Sequence, residues 1–235
     1  SGTRGGGGVC SVMYTSGSNG APKGVVHLHV SHVIQALAKI AHVGYSRSTK
    51  YLNAVPLFHV GGISSALAVT MAGGTHVFLP HFSPAMLPSV VERHGITTLV
   101  VVPTMLALAH EAAVAAGAGG VEASSRALSS VETVLVGGQA VSPDLLRRSA
   151  ALLPNARFIQ TYASSEAGST MTFATIAEPT GVRERQSSDV LPATATGRTS
   201  QGEEVVGRFV GLPACHIELE AADDGGSKVG SGVVG

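Results

Sequence analysis

Residues 96–102, Ile-Thr-Thr-Leu-Val-Val-Val, form a β-branched run closed by Gly95 on one side and Pro103 on the other. A short apolar stretch between such breaks reads as a strand buried on both faces, as in a parallel sheet covered by helices. Its neighbours follow the same logic: residues 52–55, 75–79, 131–136 and 158–162 read as further short strands. Between them lie helical patterns. Val30, Val33, Ile34, Leu37, Ala38 and Ala41 recur at helical spacing, residues 63–71 form a second helix ended by Gly73-Gly74, and a third falls within residues 83–94. Thr104 is a candidate cap for a helix carrying Met105, Leu108 and Ala112, which breaks at residues 117–120. Ser142-Pro143-Asp144 is a strong helix start, because the hydroxyl caps free N–H groups, proline fits the first turn and the carboxylate favours the positive dipole end. This alternation predicts a layered α/β fold with a largely parallel sheet, whose ligands sit beyond the carboxyl ends of the strands. Residues 181–204 are polar and are expected to form an exposed loop or insert. Beyond them residues 208–219 return to strand, and Asp223-Asp224-Gly225-Gly226 reads as a hairpin turn.

The chemistry is concentrated at strand exits. Residues 9–13 read as a short buried strand opening into Tyr14-Thr15-Ser16-Gly17-Ser18-Asn19-Gly20-Ala21-Pro22-Lys23-Gly24. Glycines let backbone N–H groups turn toward an anion, Thr15, Ser16 and Ser18 add hydroxyls, and Lys23 adds a mobile cation, so the loop is suited to phosphate. It is no Walker loop, since Lys23 comes three residues after Gly20 and is followed by Gly24. Gly137-Gly138-Gln139-Ala140 places two glycines at a strand-to-helix turn, and Tyr162-Ala163-Ser164-Ser165-Glu166 gathers a ring, a hydroxyl and a carboxylate at the end of another strand. Pro56-Leu57-Phe58-His59-Val60-Gly61-Gly62 links a strand to a helix. Read alone, His59 is a half-buried histidine satisfied by backbone. His27, His29 and His32 have a spacing that metal sites use, but no nearby Asp, Glu or Cys completes a ligand set.

Composition narrows the partners. The 235 residues are 44% hydrophobic, enough for a sizeable core, and the formal net charge is zero with basic residues scattered, so neither nucleic acid nor an anionic membrane is expected to bind. Cys10 and Cys215 make no disulfide framework and suit a reducing compartment. The longest apolar stretch is too short to span a bilayer, and residues 1–8 are glycine-rich without the apolar core of a signal peptide.

The run from Tyr14 to Gly24 resembles the signature loop of the adenylate-forming superfamily, which includes acyl-CoA and aryl-CoA ligases. Ser18 and Asn19 stand where that loop has two threonines. Gly137-Gly138 is similar to the superfamily segment bordering adenine. Tyr162 to Glu166 resembles its Tyr-Gly-x-Thr-Glu motif, with Ala163 for glycine and Ser165 for threonine. Residues 56–62 resemble the motif lining the acyl pocket, and residues 207–213 resemble a structural Gly-x-x-Gly-x-Pro. The segment that follows the loop in the superfamily, matched here by Gly24-Val25-Val26 and His29, binds no metal. The resemblance implies that residues 1–235 are part of an adenylation domain. Thr15, Ser16, Gly17, Ser18, Asn19, Gly20 and Lys23 would bind the ATP phosphates, Gly137, Gly138, Gln139, Tyr162 and Ala163 would border the nucleotide, and Ser165 would reach the α-phosphate. Glu166 would hold Mg²⁺, and His59 with Gly137 would line the substrate pocket. It further implies a small-molecule carboxylate, ATP and coenzyme A as reactants, with Lys23, Ser165 and Glu166 acting in catalysis. Three runs, within residues 134–142, 160–173 and 210–218, are most similar to the plant and algal 2-succinylbenzoate:CoA ligases of phylloquinone synthesis. That similarity implies a plastid or peroxisomal home, and without it a cytoplasmic one. The superfamily's ribose-binding aspartate and carboxyl-terminal catalytic lysine are expected beyond residue 235, so these residues alone are expected to bind nucleotide without completing the reaction. A non-catalytic nucleotide-binding remnant, or a ligase for another aryl or fatty acid, is the alternative; oligomeric state is left open.

Overall fold

The computed structural model describes residues 7–16, 20–179, 194–198, 204–208, 212–215 and 217. The elements in chain order are β1 (Val9–Thr15), β2 (Lys23–Leu28), α1 (His29–Val43), β3 (Lys50–Asn53), α2 (Val60–Met71), β4 (Thr75–Phe78), a 3-10 turn (Pro84–Met86), α3 (Leu87–His94), β5 (Thr98–Val101), α4 (Pro103–Ala115), α5 (Gly120–Ala127), β6 (Thr133–Val136), α6 (Pro143–Leu152), β7 (Arg157–Ser164), β8 (Ser169–Ala177), β9 (Thr194–Arg198), β10 (Glu204–Arg208) and β11 (Leu212–Pro213). The main sheet has the order β11-β8-β7-β6-β5-β3-β4. Strands β4, β3, β5, β6 and β7 run parallel, while β8 and β11 add an antiparallel edge. The expected largely parallel α/β sheet is what the chain forms.

Side-chain alternation explains why all four residues of β5 are buried. Leu99 and Val101, with Val134, Val136 and Phe158, enter one core shared with Val91, Leu106, Leu145 and Leu152 on the α3 to α6 side. Val100, Leu135 and Ile159 enter the other, with Ala36 and Ala38 of α1 and Ala68 and Val69 of α2. The sheet is therefore a middle layer, and α1 and α2 roof the face on which the site opens.

Several local expectations change. Residues 9–13 are strand but not buried: β1 pairs only with β2, in a separate two-stranded ribbon, and Val9 and Val12 are exposed. Helix α4 starts on Pro103, and Thr104 makes no side-chain cap. Leu108 is exposed while Leu106, Ala109 and Ala113 face the core. Ser142 does cap α6, accepting from the Leu145 N–H at 3.2 Å. Strand β7 runs on to Ser164 and turns back as β8, so the Tyr162–Glu166 motif lies at a hairpin. Within the stretch expected to be loop, β9 pairs with β10, and only Leu212–Pro213 is strand within residues 212–215. The rest of residues 181–204 and the turn at 223–226 lie outside the described residues.

Candidate functional site

The phosphate-loop candidate is the connection of the β1–β2 ribbon. Lys23 opens β2 directly opposite Thr15, the last residue of β1, so the hydroxyl and the ammonium stem from paired positions across one turn. Gly20 has φ 81°, the left-handed conformation that glycine adopts without steric cost. Gly17, Ser18 and Asn19 lie outside the described residues.

The ribbon and the following helix are fastened to the β7–β8 turn, far away in sequence. Buried His27 lies with Nε2 2.6 Å from the Ser165 carbonyl oxygen. A carbonyl only accepts, so Nε2 carries the proton. From α1, the Gln35 amide donates to the carbonyls of Ala167 and Thr170 at 2.9 and 3.1 Å. The turn is braced within itself as well: Ser164 Oγ accepts from Ala167 N–H, and Ser165 O accepts from Gly168 N–H. His32 Nε2 meets Ser11 Oγ at 3.0 Å, tying α1 back to β1. Burial, then the neighbouring His27 and His29, push the His32 imidazole below its ordinary value. Among the described residues no group of three or more His, Cys, Asp or Glu could hold a metal ion, and His27 and His32 serve as clasps.

These clasps bring the motifs to one cavity of about 420 Å³ beyond the carboxyl ends of β5, β6 and β7. Thr15, Ser165 and Glu166 lie in its wall together with Gly137 and Gly138. The glycines have a local reason: a Cβ on Gly137 would stand 2.9 Å from Thr161 Oγ1, and Gly138 has φ 85°. Ala163 also lines the cavity. Tyr162 lies between lining residues Thr161 and Ala163, but its ring, about half exposed, is not part of the wall. Ser16, Gly20, Lys23 and Gln139 also stand outside the lining, with Lys23 paired directly across from the lining residue Thr15.

The cavity continues as a mainly apolar recess between the sheet and the α1–α2 roof, walled by Val55, Val60, Val100 and Leu135. His59 is at its entrance with two tasks: it lines the cavity, and its Nδ1 accepts from Gly61 N–H at 3.1 Å, capping α2. His59 is exposed rather than half-buried, so the expected burial fails while the expected backbone contact is present. Sequence reasoning missed Lys39, which lines the recess at 2% exposure and donates to Ser65 Oγ at 2.7 Å. Burial lowers its amine to about 7. The signal was a charged residue within a helix otherwise rich in apolar side chains.

The sequence pattern of one enzyme family matches residues 6–235, nearly the whole chain; that family is described as AMP-binding enzyme. The 2-succinylbenzoate–CoA ligase, chloroplastic/peroxisomal, of Arabidopsis thaliana is 37% identical over 220 residues, covering 93% of this chain and 36% of that protein. The chain thus spans about a third of that relative's length. Among solved structures, the N-terminal domain of FACL13 from Mycobacterium tuberculosis superposes with a TM-score of 0.65 at 22% identity, covering 87% of this chain and 49% of the other. The O-succinylbenzoate coenzyme A synthetase MenE of Bacillus subtilis, solved with ATP and magnesium ion, superposes with a TM-score of 0.60 at 26% identity, covering 82% and 38%. A ribbon loop and a distant hairpin turn clasped around one cavity, on this sheet and with this match, show that the chain belongs to the AMP-binding enzyme family.

Proposed function

We propose that the polypeptide carrying this chain is an ATP-dependent carboxylate:CoA ligase, and that its acid is of the 2-succinylbenzoate type. One observation carries the reading: Thr15 and the Ser165–Glu166 turn, clasped by His27 at 2.6 Å, open on the same cavity as an apolar recess sized for a small acid. In the first half-reaction a carboxylate oxygen attacks the α-phosphorus of ATP, the bond to the β-phosphate bridging oxygen breaks, and pyrophosphate leaves. In the second, the coenzyme A thiol loses its proton as sulfur attacks the acyl carbon and AMP departs. Positioning and charge neutralisation are the work left to the protein. Lys23 and the hydroxyls of Thr15 and Ser16 are suited to the departing pyrophosphate, and Ser165 to the α-phosphate.

Magnesium fits the donor chemistry. Glu166 is an exposed carboxylate in the cavity wall, without a cluster of other ligands among the described residues, which suits an ion that keeps waters and shares phosphate oxygens. When bound, the ion would neutralise phosphate charge. The address in the name of the Arabidopsis relative supports a plastid or peroxisomal site of action.

The test is pyrophosphate release by the full-length gene product with a panel of carboxylates. Lys23→Ala and Glu166→Gln should each lower kcat/KM for adenylation by about 100-fold or more, and unchanged rates would remove those residues from the site. A nucleotide-binding protein without ligase activity is the second reading, favoured by an alanine, Ala163, among the cavity-lining residues where the resembled motif has glycine. It prevails if no acid yields pyrophosphate while ATP still raises the melting temperature.

A further inference from the structure

The recess holds an unexplained charge. Lys39 projects from α1 into a wall of Val55, Val60, Val100 and Leu135, and its ammonium donates to the neutral Ser65 hydroxyl. Among the described residues the cavity's only carboxylate side chain is Glu166, which lines it together with Thr15 and Ser165. Other buried titratable groups on or packed with α1 include His27 and His32, engaged by the Ser165 carbonyl and the Ser11 hydroxyl, and the phenols of Tyr45 and Tyr51, both pushed by burial toward the neutral form. A fold has no need of an amine there, since a methionine would fill the same volume without desolvating a cation.

We propose that Lys39 is the specificity-determining residue of the acyl recess, its ammonium pairing with a second carboxylate of the substrate, remote from the one that is activated. The inference rests on the ligase reading above and narrows its substrates to acids that carry two acidic groups. Binding such a substrate converts an unpaired amine into an ion pair in a largely apolar surrounding, where the pairing is strong. A monoacid of the same shape leaves the amine unpaired, and a site built around a polar contact rejects the analogue that lacks it. Because an amine with its affinity for protons lowered to about 7 can also shed the proton, the rejection is softened.

The experiment uses the full-length gene product, wild type and Lys39→Met, with 2-succinylbenzoate and with 4-oxo-4-phenylbutanoate, which lacks the ring carboxylate. Wild type is expected to favour the diacid about 100-fold in kcat/KM. Lys39→Met should lose most of that preference, with KM for the diacid rising and KM for the monoacid falling. Calorimetric affinity for 2-succinylbenzoate should fall in parallel, which supports the pairing even if no pyrophosphate is released. Lys39→Gln, which keeps a donor for Ser65, should behave like Lys39→Met and serves if the methionine variant does not fold. Equal use of both acids by wild type, or a preference and affinity that survive both substitutions, overturns the role of Lys39. Release with monoacids alone overturns it too, while leaving the ligase reading intact. Silence with every acid overturns the ligase reading itself, and calorimetry then decides Lys39 separately.

Discussion

Lys39 also has a signature in stability. Its amine, ordinarily at 10.5, is lowered to about 7 by burial, so the unfolded chain holds that proton more tightly than the folded one. The folded chain therefore gains stability as pH rises from about 7 toward 10.5, and below about 7 the full cost of charging the buried amine is present. The difference of 3.5 between those two values corresponds to a cost of about 5 kcal/mol at most. Lys39→Met should accordingly raise the denaturant midpoint of the 235-residue chain at pH 7 and flatten its rise between pH 7 and 10. A methionine variant less stable than wild type at pH 7 would show that the amine serves the fold. The residues proposed for the phosphate loop could be named from sequence because their pattern is local, a glycine and hydroxyl run with one lysine. Lys39 was not, because its meaning depends on a recess assembled from α1, α2, β5 and β6, which no local pattern encodes.

At the scale of elements, α1 shows what periodicity can and cannot say. Apolar residues at helical spacing located the helix, and such a stripe ordinarily marks the buried face. Here Val30, Val33, Ile34 and Leu37 are exposed, and the buried set is His32, Gln35, Ala36, Ala38, Lys39 and Val43. The inversion has a physical cause. The inward face must supply donors to the carbonyls of the β7–β8 turn and an amine to the recess, so polar side chains occupy it and each finds a partner. Strand β8 was missed for a related reason: Ser169, Thr170 and Thr172 are buried on a sheet with polar packing, and they lack the β-branched apolar run that made β5 legible. Helix α5, short and capped by Gly119 at φ 81°, was hidden by the same glycines that end α4. Two substitutions on α1 separate the faces. Gln35→Leu should destabilise the chain by about 1–3 kcal/mol, since buried carbonyls lose their donor, whereas Ile34→Lys should stay within about 0.5 kcal/mol. Chemical denaturation of both variants measures this, and the reverse ranking would restore the apolar stripe as the packed face.

Across the whole molecule, the sheet and its two cores are continuous, but the ribbon that carries Thr15 and Lys23 is not part of them. A two-stranded ribbon is marginal by itself. This one is held by its run into α1, by His27 on Ser165 and by Ser11 on His32. Its Val12, Tyr14 and Val26 are exposed, and so is the outer stripe of α1 that follows it in the chain. Apolar surface of this extent on neighbouring elements is what isolated chains bury against one another. The 235-residue chain should therefore bind a hydrophobic dye and sediment with a concentration-dependent mass. Placing charge in the middle of the stripe, with Val33→Glu and Leu37→Lys together, should shift sedimentation toward the monomer and lower the dye signal while the melting temperature changes little, because neither side chain packs into a core. If the double variant associates as strongly as the parent, the outer face of α1 is not the adhesive surface. The exposed ribbon valines then become the place where the ribbon's weak attachment meets its surroundings, and Val12→Thr with Val26→Thr tests them in the same assay.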